Sequence, residues 1–458
     1  MYADEQELKE SRERLNSVSP SFCLAKWMHT TIHLLNGRTH SCYLPPTHKI
    51  PLAEVQANPA ALHNTSHKKQ QRRMMLQGKR PPECSMCWSI EDLSAEHVSD
   101  RILRGIDTWT KPYFDQVRQM PWHGDILPSY VEVSFSSLCN FKCSYCSPHV
   151  STRWHEEVKQ HGPYMLSSTY QDVKGLANAG LMPIEDESQN PYIEAFWKWW
   201  PELYRGLKVF RVTGGEPLLS KNTFKILEWI ENNPNPELEF DMNTNFGVPD
   251  AIFSRFFDKA KNILEAGRVK RFTVHTSLDT FGAQAEYIRH GLNFQQFDNN
   301  VRRYLREIPK GHIAIMCTFN ALSVVGYRRF LDWVIELRRE FNSQDRQIFL
   351  DIPHLTGPAH QSVRILTPDY AETIRELISF MEGQEAPSKF DPLFHKVEII
   401  KLKRIHDWMV APQKEKDLNN ARRDFYLFFS EHDRRRGTNF LSTFPEMEEF
   451  WKLCQSLA

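Results

Sequence analysis

The sequence predicts an α/β fold built on a partial (β/α)6 TIM-type barrel, and three observations carry that expectation. Six short β-rich runs recur from residue 131 onward, at Val131–Ser136, Lys208–Thr213, Leu238–Asn243, Arg271–Ser277, His312–Phe319 and Gln347–Ile352. Amphipathic stretches such as "KNTFKILEWIENN" (221–233) and "YRRFLDWVIELRREF" (327–341) lie between them, with apolar residues at helical spacing. At 458 residues the chain also exceeds the size at which one hydrophobic core stops growing. Strands alternating with helices imply parallel βαβ units with right-handed crossovers, and active sites at the strands' C-terminal ends. Six units fall short of a closed eightfold barrel.

On this reading the barrel occupies residues 125–358, with an insertion at 149–205. Residues 1–124 precede it, and a helical region, 359–458, follows. The insertion carries "FWKWW" (196–200), a cluster whose simplest use is packing, although its position after the first strand sets it near the mouth of the barrel. The C-terminal region is rich in charge, including "HDRRRGTNF" (432–440).

Lysine and arginine balance aspartate and glutamate at 57 each, so net charge gives no argument for nucleic acid or membrane. The N-terminus, "MYADEQELKESRERL", has no apolar segment, and no stretch approaches 18 uncharged apolar residues. The expectation is a soluble cytoplasmic protein without a membrane partner.

Nine cysteines in a reducing compartment read as metal ligands, catalysts or small buried side chains before they read as disulfides. Cys317 and Cys454 suit burial; the other seven fall into two groups. Cys139, Cys143 and Cys146, in "CNFKCSYC", put three thiolates on one loop at a strand's C-terminal end. A structural zinc would complete its tetrahedron with a fourth Cys or His. A [4Fe–4S] cluster also takes four ligands, but one iron can stay open to a small molecule.

C-x3-C-x2-C with an aromatic before the last Cys resembles the signature of the radical S-adenosylmethionine (SAM) enzymes, in which SAM chelates the open iron. Further segments fit in the right order. Gly214, Gly215 and Glu216 in "VTGGEPLL" (212–219) are similar to the GGE motif, whose carbonyls hold the SAM ammonium; glycine suits a backbone that must approach a ligand closely. Ser277, in "HTSLDT" (275–280), resembles the ribose or carboxylate contact. Arg289, in "YIRHG" (287–291), offers a planar fork to a carboxylate. Tyr145 matches the aromatic near the adenine, and Leu355, in "PHLTGP", an apolar adenine contact. The resemblance covers about residues 125–358. It implies one-electron cleavage of SAM to a 5′-deoxyadenosyl radical that abstracts hydrogen from substrate, with the hard chemistry carried by the cofactors. It also implies a reduced flavodoxin- or ferredoxin-type electron donor. Asn243, His275 and Asp351, polar residues on strands, are the candidates to meet substrate.

The second group reads Cys23-x13-Gly37-x4-Cys42, then Cys84-x2-Cys87. It resembles the Twitch, or half-SPASM, domain of other radical SAM enzymes, here placed before the barrel instead of after it. The resemblance implies a second, auxiliary [4Fe–4S] cluster, with the glycine permitting a tight turn between two strands. A cluster held by all four thiolates would carry electrons and would not ligate substrate. The rival is a structural zinc held by the same four cysteines. Between the ligand pairs, "LHNTSHKKQQRRMMLQGKR" (62–80) holds six Lys/Arg and no acid, and reads as a solvated basic helix face. A patch for a leader peptide, a phosphate-bearing substrate or RNA is the competing reading. No RNA-binding module accompanies the stretch, so nucleic acid is not an expected partner.

The expected function is therefore a radical SAM enzyme whose auxiliary cluster aids oxidation or crosslinking of a peptide or small-molecule substrate. The alternatives are a radical SAM enzyme acting on nucleotide or RNA, and a metal-binding barrel without turnover.

Overall fold

The computed structural model describes residues 5–94, 97–167, 172–184, 189–388 and 390–458. Three strands come first: β1 (His29–His33), β2 (Arg38–His40) and β3 (His48–Lys49). Then follow β4 (Tyr130–Ser134), β5 (Lys142–Cys143), β6 (Val209–Thr213), β7 (Asn235–Thr244), β8 (Val269–Ser277), β9 (Arg289–His290), β10 (Gly311–Met316) and β11 (Ile348–Asp351). The six expected strands are β4, β6, β7, β8, β10 and β11, all close to their expected bounds.

A nine-stranded sheet has the order β11-β10-β8-β7-β6-β4-β1-β2-β3, and β5 pairs with β9 alone. The pairs β4–β6, β8–β10 and β10–β11 are parallel, with Val131 opposite Phe210, His275 opposite Ala314 and Met316 opposite Asp351. Such strands are covered on both faces, and Ile313 and Ile315 are fully buried.

The N-terminal segment lends strands to this sheet. β1 lies parallel beside β4, with Thr31 opposite Glu132, and β1–β2–β3 form an antiparallel meander. The physical reason is in β1 itself. Thr30, Thr31 and Ile32 are β-branched and buried, which suits a sheet interior better than an independent edge.

Two compact units divide the chain. The first comprises Met1–Ser136, Pro183–Gly214 and Pro234–Asp241; the second comprises Ser137–Met182, Gly215–Asn233 and Met242–Ala458. In the first, Phe22, Trp27, Trp88, Trp109 and Phe114 form the centre of an apolar cluster. The helix Pro191–Gly206 opens on an Asn190 side chain that accepts from the Tyr192 and Ile193 amides, with proline at its first position. Its Trp200 is fully buried, 4.7 Å from Phe210, so the aromatic cluster is packing.

In the second unit, helices follow their strands as the sequence indicates, at Lys221–Asn232 and Tyr327–Phe341. The C-terminal region contributes the long helix Glu415–Arg436, which stops at Gly437 in the left-handed region (φ +65°). Its last turn carries Arg434, Arg435 and Arg436, where cations meet the negative end of the helix dipole.

Candidate active site

The loop holding Cys139, Cys143 and Cys146 belongs to the second unit and is held from several sides. Thr152 Oγ1 accepts from the Cys139 amide at 3.2 Å, and Trp154 Nε1 donates to the Cys143 carbonyl at 2.8 Å. Asn140 Nδ2 donates to the Gly247 carbonyl and its Oδ1 accepts from Asn245, both at 2.8 Å. Ser144 and Gln361 exchange two hydrogen bonds, at 2.7 and 3.0 Å. The loop is thus fixed by backbone and amide contacts while its three thiols stay half-buried.

Burial raises all three thiols from their ordinary pKa. Cys146 is pushed up to about 12, by burial first and then by Cys143. Cys139 is pushed up by burial and by Cys143 and Cys146. Three crowded thiols that resist ionisation alone are a donor set that a cationic centre would convert to thiolates. Among the described residues no three His, Cys, Asp or Glu side chains close on a single metal ion. A four-iron cluster takes one thiolate per iron, so it needs the sulfurs spread more widely than one ion does.

The glycine segment is explained by packing. Gly214 has φ +132°, which disfavours other residues, and a Cβ there would stand 2.8 Å from the Ser136 carbonyl oxygen. A Cβ on Gly215 would fall 2.4 Å from the Leu138 carbonyl oxygen. In this structure the close approach demanding glycine is that of the backbone leading into Cys139. The Glu216 amide donates to that same Leu138 carbonyl at 2.6 Å. The Glu216 carboxylate, almost fully buried, accepts from the Leu218 and Asn245 amides at 3.0 and 2.6 Å. Burial lifts its pKa to about 7, against the pull of those amides.

Arg289 lies opposite Cys143 in the β5–β9 ladder. Its Nη1 donates to Cys143 Sγ at 3.7 Å, and its Nη2 to Asp279 Oδ1 at 2.9 Å and to the Tyr145 hydroxyl at 2.5 Å. Nε stands 2.9 Å from Asp279 Oδ2, which also accepts from the Tyr145 hydroxyl at 2.9 Å. Asp279 is fully buried and Arg289 nearly so. The sequence assigns expected roles to Tyr145 and Arg289 but none to Asp279, two residues after Ser277 in the same "HTSLDT" segment. Its signal was a carboxylate at a strand's C-terminal end.

The remaining candidates occupy strand ends in the same unit. Ser277 and Asp351 both lie opposite Met316 on β10, one on each side. His275 is two residues back along β8, opposite Ala314, and Asn243 is the penultimate residue of β7. Asp351 forms an ion pair with Lys401. Leu355 is buried, its amide donating to the Phe319 carbonyl at 2.9 Å. Cys317 and Cys454 are fully buried.

In the first unit Cys23, Cys42, Cys84 and Cys87 line one pocket, together with Lys26, Arg101 and Arg104. Gly37 has φ +66° in the turn between β1 and β2, the conformation that a tight hairpin asks of glycine. Burial raises all four thiols, and Cys42 reaches about 11. Four thiols with cations nearby are a suitable donor set for a metal–sulfur centre.

The basic stretch between these cysteines is only in part the solvated face that its composition predicts: Arg73, Lys79 and Arg80 are exposed. Lys68 and Arg72, one turn apart on the helix Ser66–Leu76, are fully buried. Lys68 donates to Thr30 and Thr39 hydroxyls at 2.7 and 2.8 Å, and Arg72 to Asn64 and His63 at 3.0 and 2.9 Å. Of the others, Lys69 pairs with Asp125, Arg80 pairs with Asp92, and Arg73 lies over Trp122. The hydroxyls that receive Lys68 come from Thr30 and Thr39, 38 and 29 residues away, so composition alone could not reveal them.

Residues 133–331 match the model of the Radical SAM superfamily. The chain is 24% identical over 235 residues to a GTP 3′,8-cyclase of Psychromonas ingrahamii, covering 50% of this chain and 57% of that protein. It is 24% identical over 267 residues to the enzyme of that name from Campylobacter lari, covering 56% and 66%. For the Pasteurella multocida protein of that name the identity is 22% over 208 residues, covering 45% and 49%. The chain thus spans about half to two thirds of these relatives' length. No solved structure matches significantly. The thiol loop, the glycine segment packed against its approach and the parallel strands that present them agree with the match of residues 133–331 to the Radical SAM superfamily model.

Proposed function

We propose that the protein is a radical SAM enzyme acting on a small substrate. The observation that carries this reading is the packing of the backbone leading into Cys139 against the glycine segment that ends at Glu216. There the glycines admit the backbone at 136–138, and Glu216 ties the segment to Asn245. A [4Fe–4S] cluster and SAM, when bound, supply one-electron cleavage of the sulfonium and hydrogen abstraction from substrate.

The chain's own residues do the rest. Cys139, Cys143 and Cys146 would hold three irons, and the carbonyls of Gly214 and Gly215 are the candidates to receive the SAM ammonium. Ser277, at the end of β8, is the candidate to offer a hydroxyl to SAM, and buried Leu355 an apolar surface. Asn243, His275 and Asp351 remain the candidates for substrate contact, because each sits at or near the end of its strand. Cys23, Cys42, Cys84 and Cys87 would hold an auxiliary cluster in an electron-carrying role. A reduced flavodoxin- or ferredoxin-type protein is the proposed donor.

The names of the relatives favour a nucleotide-like substrate over a peptide. They are GTP 3′,8-cyclases, although at 22–24% identity. Crosslinking of a peptide has no observation of comparable weight. The test is anaerobic reconstitution with iron and sulfide, followed by mass spectrometry of 5′-deoxyadenosine after reduction with dithionite. SAM cleavage lost in Cys143→Ala supports the reading; cleavage in neither protein would sink it. Deuterated nucleosides and nucleotides, offered in turn, then report the substrate class by label transfer into 5′-deoxyadenosine.

A further inference from the structure

Arg289 raises the question of what its charge is for. A guanidinium has five N–H donors in a planar fork, and its Nε–Nη2 edge is the one that best matches a carboxylate. Here that edge lies beside Asp279: Nη2 donates to Oδ1 at 2.9 Å, while Nε stands 2.9 Å from Oδ2 without a hydrogen bond to it. Nη2 also reaches the Tyr145 hydroxyl, and Nη1 is directed at Cys143 Sγ. Asp279 is itself fixed, since its Oδ1 accepts from the Thr318 amide at 3.0 Å and its Oδ2 from Tyr145. The ladder that sets Cys143 opposite Arg289 is reinforced by the Ser144 amide donating to the Ile288 carbonyl at 2.7 Å. A buried cation is thus locked in place, and one donor points at a thiol of the candidate cluster loop.

We infer that Arg289, held by Asp279, is a positioning residue that sets the reduction potential of the cluster on Cys139, Cys143 and Cys146 through its hydrogen bond and charge at Cys143. The inference rests on the radical SAM reading above. Adding one electron makes a cluster more negative by one charge and breaks no bond. A buried cation and an N–H···S hydrogen bond both favour that reduced form, and such hydrogen bonds are among the protein's levers on cluster potential. Asp279 acts in the opposite sense electrostatically while it fixes the cation. The two residues therefore have opposite expected effects on one measured quantity, which a purely structural role would not produce.

The experiment is an EPR-monitored redox titration of the reconstituted full-length protein, with dithionite as reductant and no SAM present. The signal that changes when SAM is later added identifies the cluster on Cys139, Cys143 and Cys146. Arg289→Gln should move its midpoint to more negative potential, and Asp279→Asn to more positive. Arg289→Lys keeps a charge without the fork and should fall between wild type and Arg289→Gln. It also decides the matter if Arg289→Gln does not take up iron. Unmoved midpoints in loaded variants, or shifts of the same sign in Arg289→Gln and Asp279→Asn, would overturn the inference. So would weaker SAM binding in Arg289→Lys at an unchanged midpoint, because that is the signature of a carboxylate grip. A wild-type protein that takes up no iron on these cysteines would overturn the underlying reading as well.

Discussion

Arg436, in the last turn of the long C-terminal helix, closes on Glu157 in the helix that follows the cysteine loop, with Nη2 3.4 Å from Oε2 and both side chains buried. The same carboxylate lies 2.6 Å from Lys142 Nζ, inside the loop itself, and accepts from the Tyr164 hydroxyl at 2.7 Å. The C-terminal region is therefore tied to the candidate active-site loop through one buried acid. Removing one partner of a buried ion pair leaves the others uncompensated, so Glu157→Gln should destabilise by about 3–5 kcal/mol. Guanidinium denaturation reads this directly, and a loss under about 1 kcal/mol would contradict it. The sign with pH is also fixed. Burial raises the Glu157 pKa, but Arg436, Lys142 and Tyr164 outweigh it and hold the group at about 2. Its stabilising contribution is present above the ordinary carboxylate range and is lost as pH falls toward 2.

Glu216 should behave in the opposite way. Its folded pKa of about 7 lies above the ordinary 4.5, so between those values the folded chain binds the extra proton. Its contribution is present below about 4.5 and is lost as pH rises through 7. Measured against Glu216→Gln, the melting temperature of wild type should therefore drop between pH 5 and 7. A constant difference across that range would show that the amides of Leu218 and Asn245 keep the carboxylate ionised.

Gly215→Ala puts a Cβ 2.4 Å from the Leu138 carbonyl oxygen and 2.8 Å from the Ser137 carbonyl carbon, both backbone atoms that cannot rotate away. The loop has to shift, at about 1–3 kcal/mol. Iron uptake at the adjoining cysteines should fall in the same variant. Gly383→Ala is the control, because its nearest neighbour lies at 3.4 Å. Equal melting temperatures and equal iron in both variants would mean that the glycine is not required by packing.

Two four-iron clusters require roughly eight irons per chain. Replacing Cys139, Cys143 and Cys146 together by alanine should remove about half, and replacing Cys23, Cys42, Cys84 and Cys87 the other half. Colorimetric iron assay with zinc measured alongside checks this. About four irons plus one tight zinc in wild type would assign the first-unit cysteines to a structural zinc. Cys42→Ala should then be compared with wild type for SAM cleavage and product formation, once circular dichroism confirms that it folds.

The sequence by itself determined the six strands of the α/β core, because parallel strands are buried apolar runs whose signal is local. It also determined both cysteine groups and the glycine segment, because ligand spacing and positive-φ turns are written in a few adjacent residues. Tertiary structure decided what those residues touch. Gly214 and Gly215 admit the backbone that leads into Cys139, and Arg289 pairs with Asp279. Tertiary structure also decided that the basic helix hides Lys68 and Arg72, and that β1 joins the sheet beside β4. Each of these depends on partners far apart in the chain: Lys68 with Thr30, Arg436 with Glu157, Cys143 with Arg289. A charge or a donor carries no mark in the sequence of the distant group that will receive it.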